Sequence, residues 1–163
     1  MIEVKRLTKY DEKIAAEMGK LAVSLSSKDP GTPIDKKWME DIIASPWHDQ
    51  LLAFDDDKLV GMATMSIVMG SHIGRYKSDG DVVREDIGRN AYLEDLVVSK
   101  ECQGKGVGGV LWDAIVAWGR EKKARRLEFS SSGQEKKGSA VGFYLHKGAK
   151  IRETNFFRIE LQG

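Results

Sequence analysis

The chain has 163 residues, 41% apolar and 31% charged, the proportions of a soluble globular protein with room for one real core. Its net charge of +1 argues against nucleic acid as the main partner, and its one cysteine excludes an internal disulfide and fits a reducing cytoplasm. No apolar run approaches membrane-spanning length, no signal-peptide core opens the sequence, and the three histidines lie too far apart to suggest a metal site.

In chain order, Ile2 to Leu7 alternates apolar and polar residues, the pattern of a half-buried strand. Thr8 to Asp11 reads as a helix start, followed by Ile14, Met18, Leu21 and Leu25 on one face. Pro30-Gly31 breaks this helix, and a second runs from about Asp35 to Ala44, stopped by Ser45-Pro46. Gln50–Phe54 and Lys58–Met69 are strands around a turn of three acids, Asp55 to Asp57. Those acids are a solvated turn, because nothing nearby completes a calcium-ligand spacing. Residues 70–90 are long, polar and mixed in charge, so they read as a functional loop, a flap on the acceptor side. Arg75, Tyr76, Arg84 and Glu85 are its candidate substrate contacts.

Tyr92 to Ser99 is a short β-branched strand that carries two acids, Glu94 and Asp95, where a core strand would carry none. A glycine-rich turn follows, Gln103-Gly104-Lys105-Gly106-Val107-Gly108-Gly109. Behind it, Val107, Val110, Leu111, Ala114, Ile115 and Trp118 mark one stripe of a helix. Beyond the helix come a strand at Arg126–Ser130, a polar loop at 131–137 and a short helix at Ser139–Lys147. One or two strands at Lys150–Leu161 close the chain. No linker or repeat divides it, so residues 1–163 read as one domain. The order β-α-α-β-β-β-α-β-α-β predicts a mixed sheet with helices on both faces.

Closely spaced glycines at a helix N-terminus bare the backbone N–H groups, and the helix dipole adds positive potential there. A phosphate can sit on that backbone, with Lys105 at its rim. A tight turn without a ligand is the plainer alternative. Of the phosphate loops, the Walker pattern fails because no Gly-Lys-Ser/Thr closes it. A dinucleotide fingerprint, Gly104-x-Gly106-x-x-Gly109 with Glu128 beyond, is formally present. It lies too late in the chain for the two halves such a fold requires. Gln103-x-x-Gly106-x-Gly108 fits an acyl-coenzyme A pyrophosphate loop.

The run Tyr92-Leu-Glu-Asp-Leu-Val-Val98, followed by Gln103-Gly-Lys-Gly-Val-Gly108, resembles the GNAT superfamily of N-acetyltransferases. A second segment, Ala140-x-x-Phe143-Tyr144-x-x-x-Gly148, is similar to another motif of that family, in the same order and at the usual separation. The resemblance implies an α/β (α+β) fold: a mostly antiparallel sheet of six to seven strands flanked by about four helices. It also implies acetyl-coenzyme A as donor, a primary amine as acceptor and no metal. The coenzyme residues would be Leu96, Val97, Val98, Gln103, Gly104, Lys105, Gly106, Val107, Gly108, Gly109 and Tyr144. Lys137 stands where the family often has asparagine, a place for a charged coenzyme contact, and Ala149 replaces a usual aromatic.

The chemistry then needs an oxyanion stabilised by backbone N–H groups, which the resemblance places on Leu96–Val98, a base for the ammonium, and a proton for the departing thiolate. Glu94 and Asp95 are the candidate bases, and Glu94 is also a substrate contact. Adjacent strand residues face opposite sides, so only one acid reaches the substrate unless a bulge intervenes. Tyr144 matches the family's tyrosine that supplies this proton, which makes it the candidate acid, the plainer alternative being a core aromatic beside Phe143. The expected activity is direct acetyl transfer to a primary amine of a small molecule or peptide in a ternary complex. The alternative is a non-catalytic acyl-coenzyme A sensor. Neither the acceptor nor the oligomeric state is legible, although homodimers are common in the family. Replacing both Gly106 and Gly108 by valine is expected to abolish coenzyme binding, as read by calorimetry; full retention would contradict the loop assignment.

Overall fold

In a computed structural model of the chain, the described residues are 1–25, 30–70, 75–78, 82–85, 88–131, 139–153, 159 and 161, with 75–78 and 82–85 described by their backbone. They form two compact units, Met1–Phe129 and Ser130–Gly163.

The first unit is a five-stranded sheet in the order β1-β2-β3-β6-β7. Its strands are β1 (Ile2–Arg6), β2 (His48–Asp55), β3 (Lys58–Met69), β6 (Arg89–Val98) and β7 (Leu127–Glu128). The first three pairings are antiparallel and only β6–β7 is parallel. This is the mixed, mostly antiparallel α/β architecture expected, with a smaller strand count in the main sheet. Residues 70–90, read as a loop, hold two paired antiparallel strands, β4 (Arg75–Ser78) and β5 (Val82–Glu85), with Arg75 opposite Glu85 and Tyr76 opposite Arg84. Val82 and Val83 are β-branched, and a polar stretch can still pair when its backbone groups satisfy one another. Their side chains, like Lys137 and residues 154–158 and 160, lie outside the described residues, and the described residues 150–153, 159 and 161 carry none of the strand expected there.

Helices cover both faces of the sheet. On one face, α1 (Glu12–Ala22) and α2 (Lys36–Ala44) pack Ala15, Met18, Leu21, Ala22 and Met39 against Leu52, Leu59, Met62 and Val97. Both start at an aspartate whose side chain accepts an N–H of the first turn: Asp11 from Ile14 and Asp35 from Trp38, each at 2.9 Å. Such caps satisfy donors that a helix cannot pair internally and contribute about 1 kcal/mol each.

On the opposite face lies α3 (Val107–Glu121), with Val107, Leu111, Ile115 and Trp118 buried, whereas Val110, read into the same stripe, is exposed. Each such side chain contributes about 1.5–3 kcal/mol on burial. The Trp118 indole N–H donates to Asp49 Oδ2 at 2.7 Å, and Asp49 also meets Lys122 at 3.3 Å and Arg6 at 3.5 Å. These contacts tie the C-terminal end of α3 to β1 and β2. Its N-terminal end is seated by Gly61 on β3. A Cβ there would stand 2.9 Å from Leu111 Cδ1, 3.1 Å from the Val97 carbonyl and 3.3 Å from Val107 Cγ1. Glycine therefore lets the first turns of α3 lie flush on the sheet.

In the second unit, α4 (Ala140–His146) is capped by Ser139, whose hydroxyl accepts the Gly142 N–H at 3.0 Å. Gly148, at φ +86°, follows its C-terminus, and Ala149 N–H closes back on the Tyr144 carbonyl at 3.0 Å. Among the described residues no helix is long and apolar enough to cross a membrane.

Gly61→Ala is expected to lower stability by about 1–3 kcal/mol through overpacking, and to weaken coenzyme binding by displacing the α3 N-terminus. Thermal melts and calorimetry would check both; unchanged values would show that this contact yields freely.

Candidate active site

The site is built on β6 and the turn that follows it. Along β3 the register runs Gly61–Val98, Met62–Val97, Ala63–Leu96, Thr64–Asp95, then jumps to Met65–Leu93. Glu94 is thus an extra residue with no partner opposite, a β-bulge. Directly opposed residues of a strand pair share a face, and the bulge reverses the alternation. Ala91 faces α3, where a Cβ on Gly119 would lie 3.6 Å from it. Six residues on, Val97 joins the core under α1. Without the bulge both would face the same side.

The bulge brings Glu94 and Asp95 to one face. Asp95 lies opposite Thr64, between Met62 and Ser66 on the α1 side of β3. Glu94 Oε1 accepts the hydroxyl of Ser66, on that same side, at 2.8 Å. The expectation that only one of two adjacent acids could face a substrate is replaced by a surface carrying both. Glu94 is exposed and Asp95 half-buried. Burial, and then the charge of Glu94, raise the Asp95 carboxyl above its ordinary value. Among the described residues neither acid has a cation within ion-pair distance.

The floor beneath them is polar. Thr64 donates its hydroxyl to Gln50 Oε1 at 2.7 Å, and Gln50 is fully buried on β2. Sequence reading missed Gln50, Thr64 and Ser66. The signal was there: two hydroxyl residues two apart in an otherwise apolar strand.

The far edge of β6 is open beyond its start. β7 pairs only with Ala91 and Tyr92, and among the described residues no strand pairs Leu93–Val98 on that side. Ser99 donates its N–H to Val60 on β3 at 2.9 Å, so by alternation Val97 also turns to β3 while Leu96 and Val98 turn to the open edge. The Val98 carbonyl is met there by Gln103 Nε2 at 3.4 Å. Two backbone N–H groups, of Leu96 and Val98, are thus presented at this edge.

The turn between is a 3-10 helix, Lys100–Cys102, then Gln103–Gly106. Gly104 and Gly106 adopt φ of +77° and +88°, conformations natural to glycine, and a Cβ on either would meet no atom within 4 Å. Gly106 is the N-cap of α3, and no side chain caps this helix, in contrast to Asp11, Asp35 and Ser139 at α1, α2 and α4. The N–H groups of Val107, Gly108 and Gly109 have no intrahelical acceptor. Uncapped donors, open space beside two glycines and the positive end of a helix dipole fit a pyrophosphate.

Tyr144 is half-buried on α4, its ring 5.4 Å from Phe143 in an edge arrangement, and burial raises its phenol above the ordinary value. At neutral pH it is a proton donor.

A family model described as the acetyltransferase (GNAT) family matches residues 20–148. An aminoglycoside acetyltransferase from an uncultured soil metagenomic sample, in complex with sisomicin, is similar at TM-score 0.71 and 15% identity, covering 98% of this chain and 96% of that one. An aminoglycoside N-acetyltransferase in complex with CoA is similar at TM-score 0.66 and 18% identity, covering 98% and 95%. A ribosomal-protein-alanine N-acetyltransferase from Brucella melitensis biovar Abortus 2308 is similar at TM-score 0.67 and 16% identity, covering 99% of both. At these identities the likeness is one of fold. No curated protein matches the chain.

The raised Asp95 carboxyl has a consequence for stability. A folded state that holds this proton more tightly than the unfolded chain loses stability as pH rises above the ordinary aspartate range and through the raised titration of the folded carboxyl. Asp95→Asn should therefore melt higher than the parent protein at neutral pH. The margin should close as pH falls below the ordinary aspartate value of about 3.9. A margin independent of pH would contradict it.

Proposed function

Because the chain belongs to the acetyltransferase (GNAT) family and is an acyltransferase, we propose that it is an N-acetyltransferase acting on a primary amine by direct transfer from acetyl-coenzyme A. The observation that carries this reading is the bulge at Glu94. It gives β6 two carboxylates on one face, one residue before backbone N–H groups turned to an open edge.

Acetyl-coenzyme A would supply the acetyl group as a thioester. Its pyrophosphate would rest on the N–H groups of Val107, Gly108 and Gly109, with Gln103, Gly104 and Gly106 shaping the turn and Lys105 at the rim. The extended arm would run along the open edge at Leu96–Val98 as an added strand. There the N–H of Leu96 or Val98 would polarise the carbonyl, a preorganised donor that need not move as charge develops.

An acceptor arrives as an ammonium and must lose a proton before it can attack. Asp95 is the better base of the two acids, since its raised carboxyl holds a proton more readily. Glu94, exposed and anchored to Ser66, would bind the ammonium. Tyr144 would protonate the departing thiolate, Lys137 would add a charged coenzyme contact, and Arg75, Tyr76, Arg84 and Glu85 would contribute to the acceptor side.

Thiol release with acetyl-coenzyme A across polyamines, amino sugars, amino acids and short peptides tests this function. Turnover on one amine class is expected, with Asp95→Asn lowering kcat by roughly 10²-fold or more. Coenzyme binding without release on any amine would overturn it. Glu94→Gln removes the charge that helps raise Asp95, so the acid limb of the kcat profile should move to lower pH; an unmoved limb would remove Asp95 as the base. Tyr144→Phe should slow turnover and leave coenzyme binding largely intact.

A further inference from the structure

We infer that Ser66 is a positioning residue: its hydroxyl fixes Glu94 as the ammonium-binding carboxylate, while the neighbouring Thr64–Gln50 pair withholds a donor from Asp95. The inference rests on the N-acetyltransferase reading and assigns roles that the family motifs do not reach, because Ser66, Thr64 and Gln50 lie on β2 and β3.

The two acids sit above two hydroxyls that behave differently. Ser66 is 5% exposed and spends its single O–H on Glu94 Oε1 at 2.8 Å. Thr64 lies directly opposite Asp95 but gives its O–H to Gln50 Oε1 at 2.7 Å. Gln50 is fully buried, and its amide nitrogen is directed to the Leu51 carbonyl at 3.4 Å, which leaves its oxygen toward Thr64. A threonine whose proton is committed offers Asp95 only lone pairs. The carboxylate with a donor is pinned, and the carboxylate without one is left to take a proton.

Pinning matters because Glu94 is an exposed residue in a bulge, with no strand partner. A free glutamate side chain loses up to about 2 kcal/mol of rotamer freedom when a ligand fixes it. A carboxylate already held by Ser66 has lost part of that freedom before the amine arrives. The gain is in binding, not in the proton transfer, so it falls on the amine KM.

Steady-state kinetics of Ser66→Ala, Ser66→Thr, Glu94→Ala and Ser66→Ala/Glu94→Ala test this. Ser66→Ala should raise the amine KM about tenfold, the effect of a hydrogen bond to a charged group, with kcat and the coenzyme KM little changed. Ser66→Thr keeps the hydroxyl on a strand that favours β-branched residues and should restore the amine KM. In the Glu94→Ala background, Ser66→Ala should add nothing. A fall in kcat with the amine KM unmoved, failure of threonine to rescue in a variant that melts normally, or additive effects in the double variant would each overturn the positioning role. An unsubstituted protein that releases no thiol with any amine would overturn the transferase reading itself, a result distinguishable from all three.

Discussion

One extra residue in β6 governs the rest of the site. A regular strand would put Glu94 and Asp95 on opposite faces, one under α1 and one under α3. The bulge places both on the α1 face and leaves Leu96 and Val98 with their N–H groups at the edge that β7 does not pair. The two carboxylates and the two edge-facing N–H groups therefore come from neighbouring residues of one strand, yet address different directions. Bulges commonly re-aim side chains at functional sites, and here the local loss of pairing is offset by a ladder to β3 on both sides of it.

The α3 side depends on a second economy, the removal of side chains. Gly61 lets Val107 and Leu111 lie directly on β3, so the N-terminus of α3 is held at a fixed height above the sheet. Gly104 and Gly106 then turn the chain through positive φ with open space where a side chain would project. The helix begins without a side-chain cap, so its first N–H groups are left without an intrahelical or capping partner. Elsewhere the chain caps its helices with Asp11, Asp35 and Ser139, so sequences able to cap are not lacking.

Much of this was legible in the sequence. The apolar stripe from Val107 to Trp118, the glycine turn and the β-branched strand before it have periods and residue types that local physics dictates. The acids were conspicuous because carboxylates are rare in core strands. Their common face was not legible, because a bulge is fixed by pairing with a distant strand and Leu93-Glu94-Asp95-Leu96 holds no glycine to announce it. The hairpin at residues 75–85 was hidden for a related reason: a polar, charged sequence gives no alternation, and only pairing reveals it. Ser66 and Thr64 did leave a trace, a two-residue spacing of hydroxyls in an apolar run, whose meaning needed the opposite strand.

The open edge of β6 and the uncapped N-terminus of α3 are proposed to receive the coenzyme together. Amide hydrogen exchange with and without acetyl-coenzyme A tests this most directly. Protection should appear at Leu96 and Val98 and at Val107–Gly109 together, while Val97, already turned to β3, changes little. Protection elsewhere with both segments unchanged would contradict it.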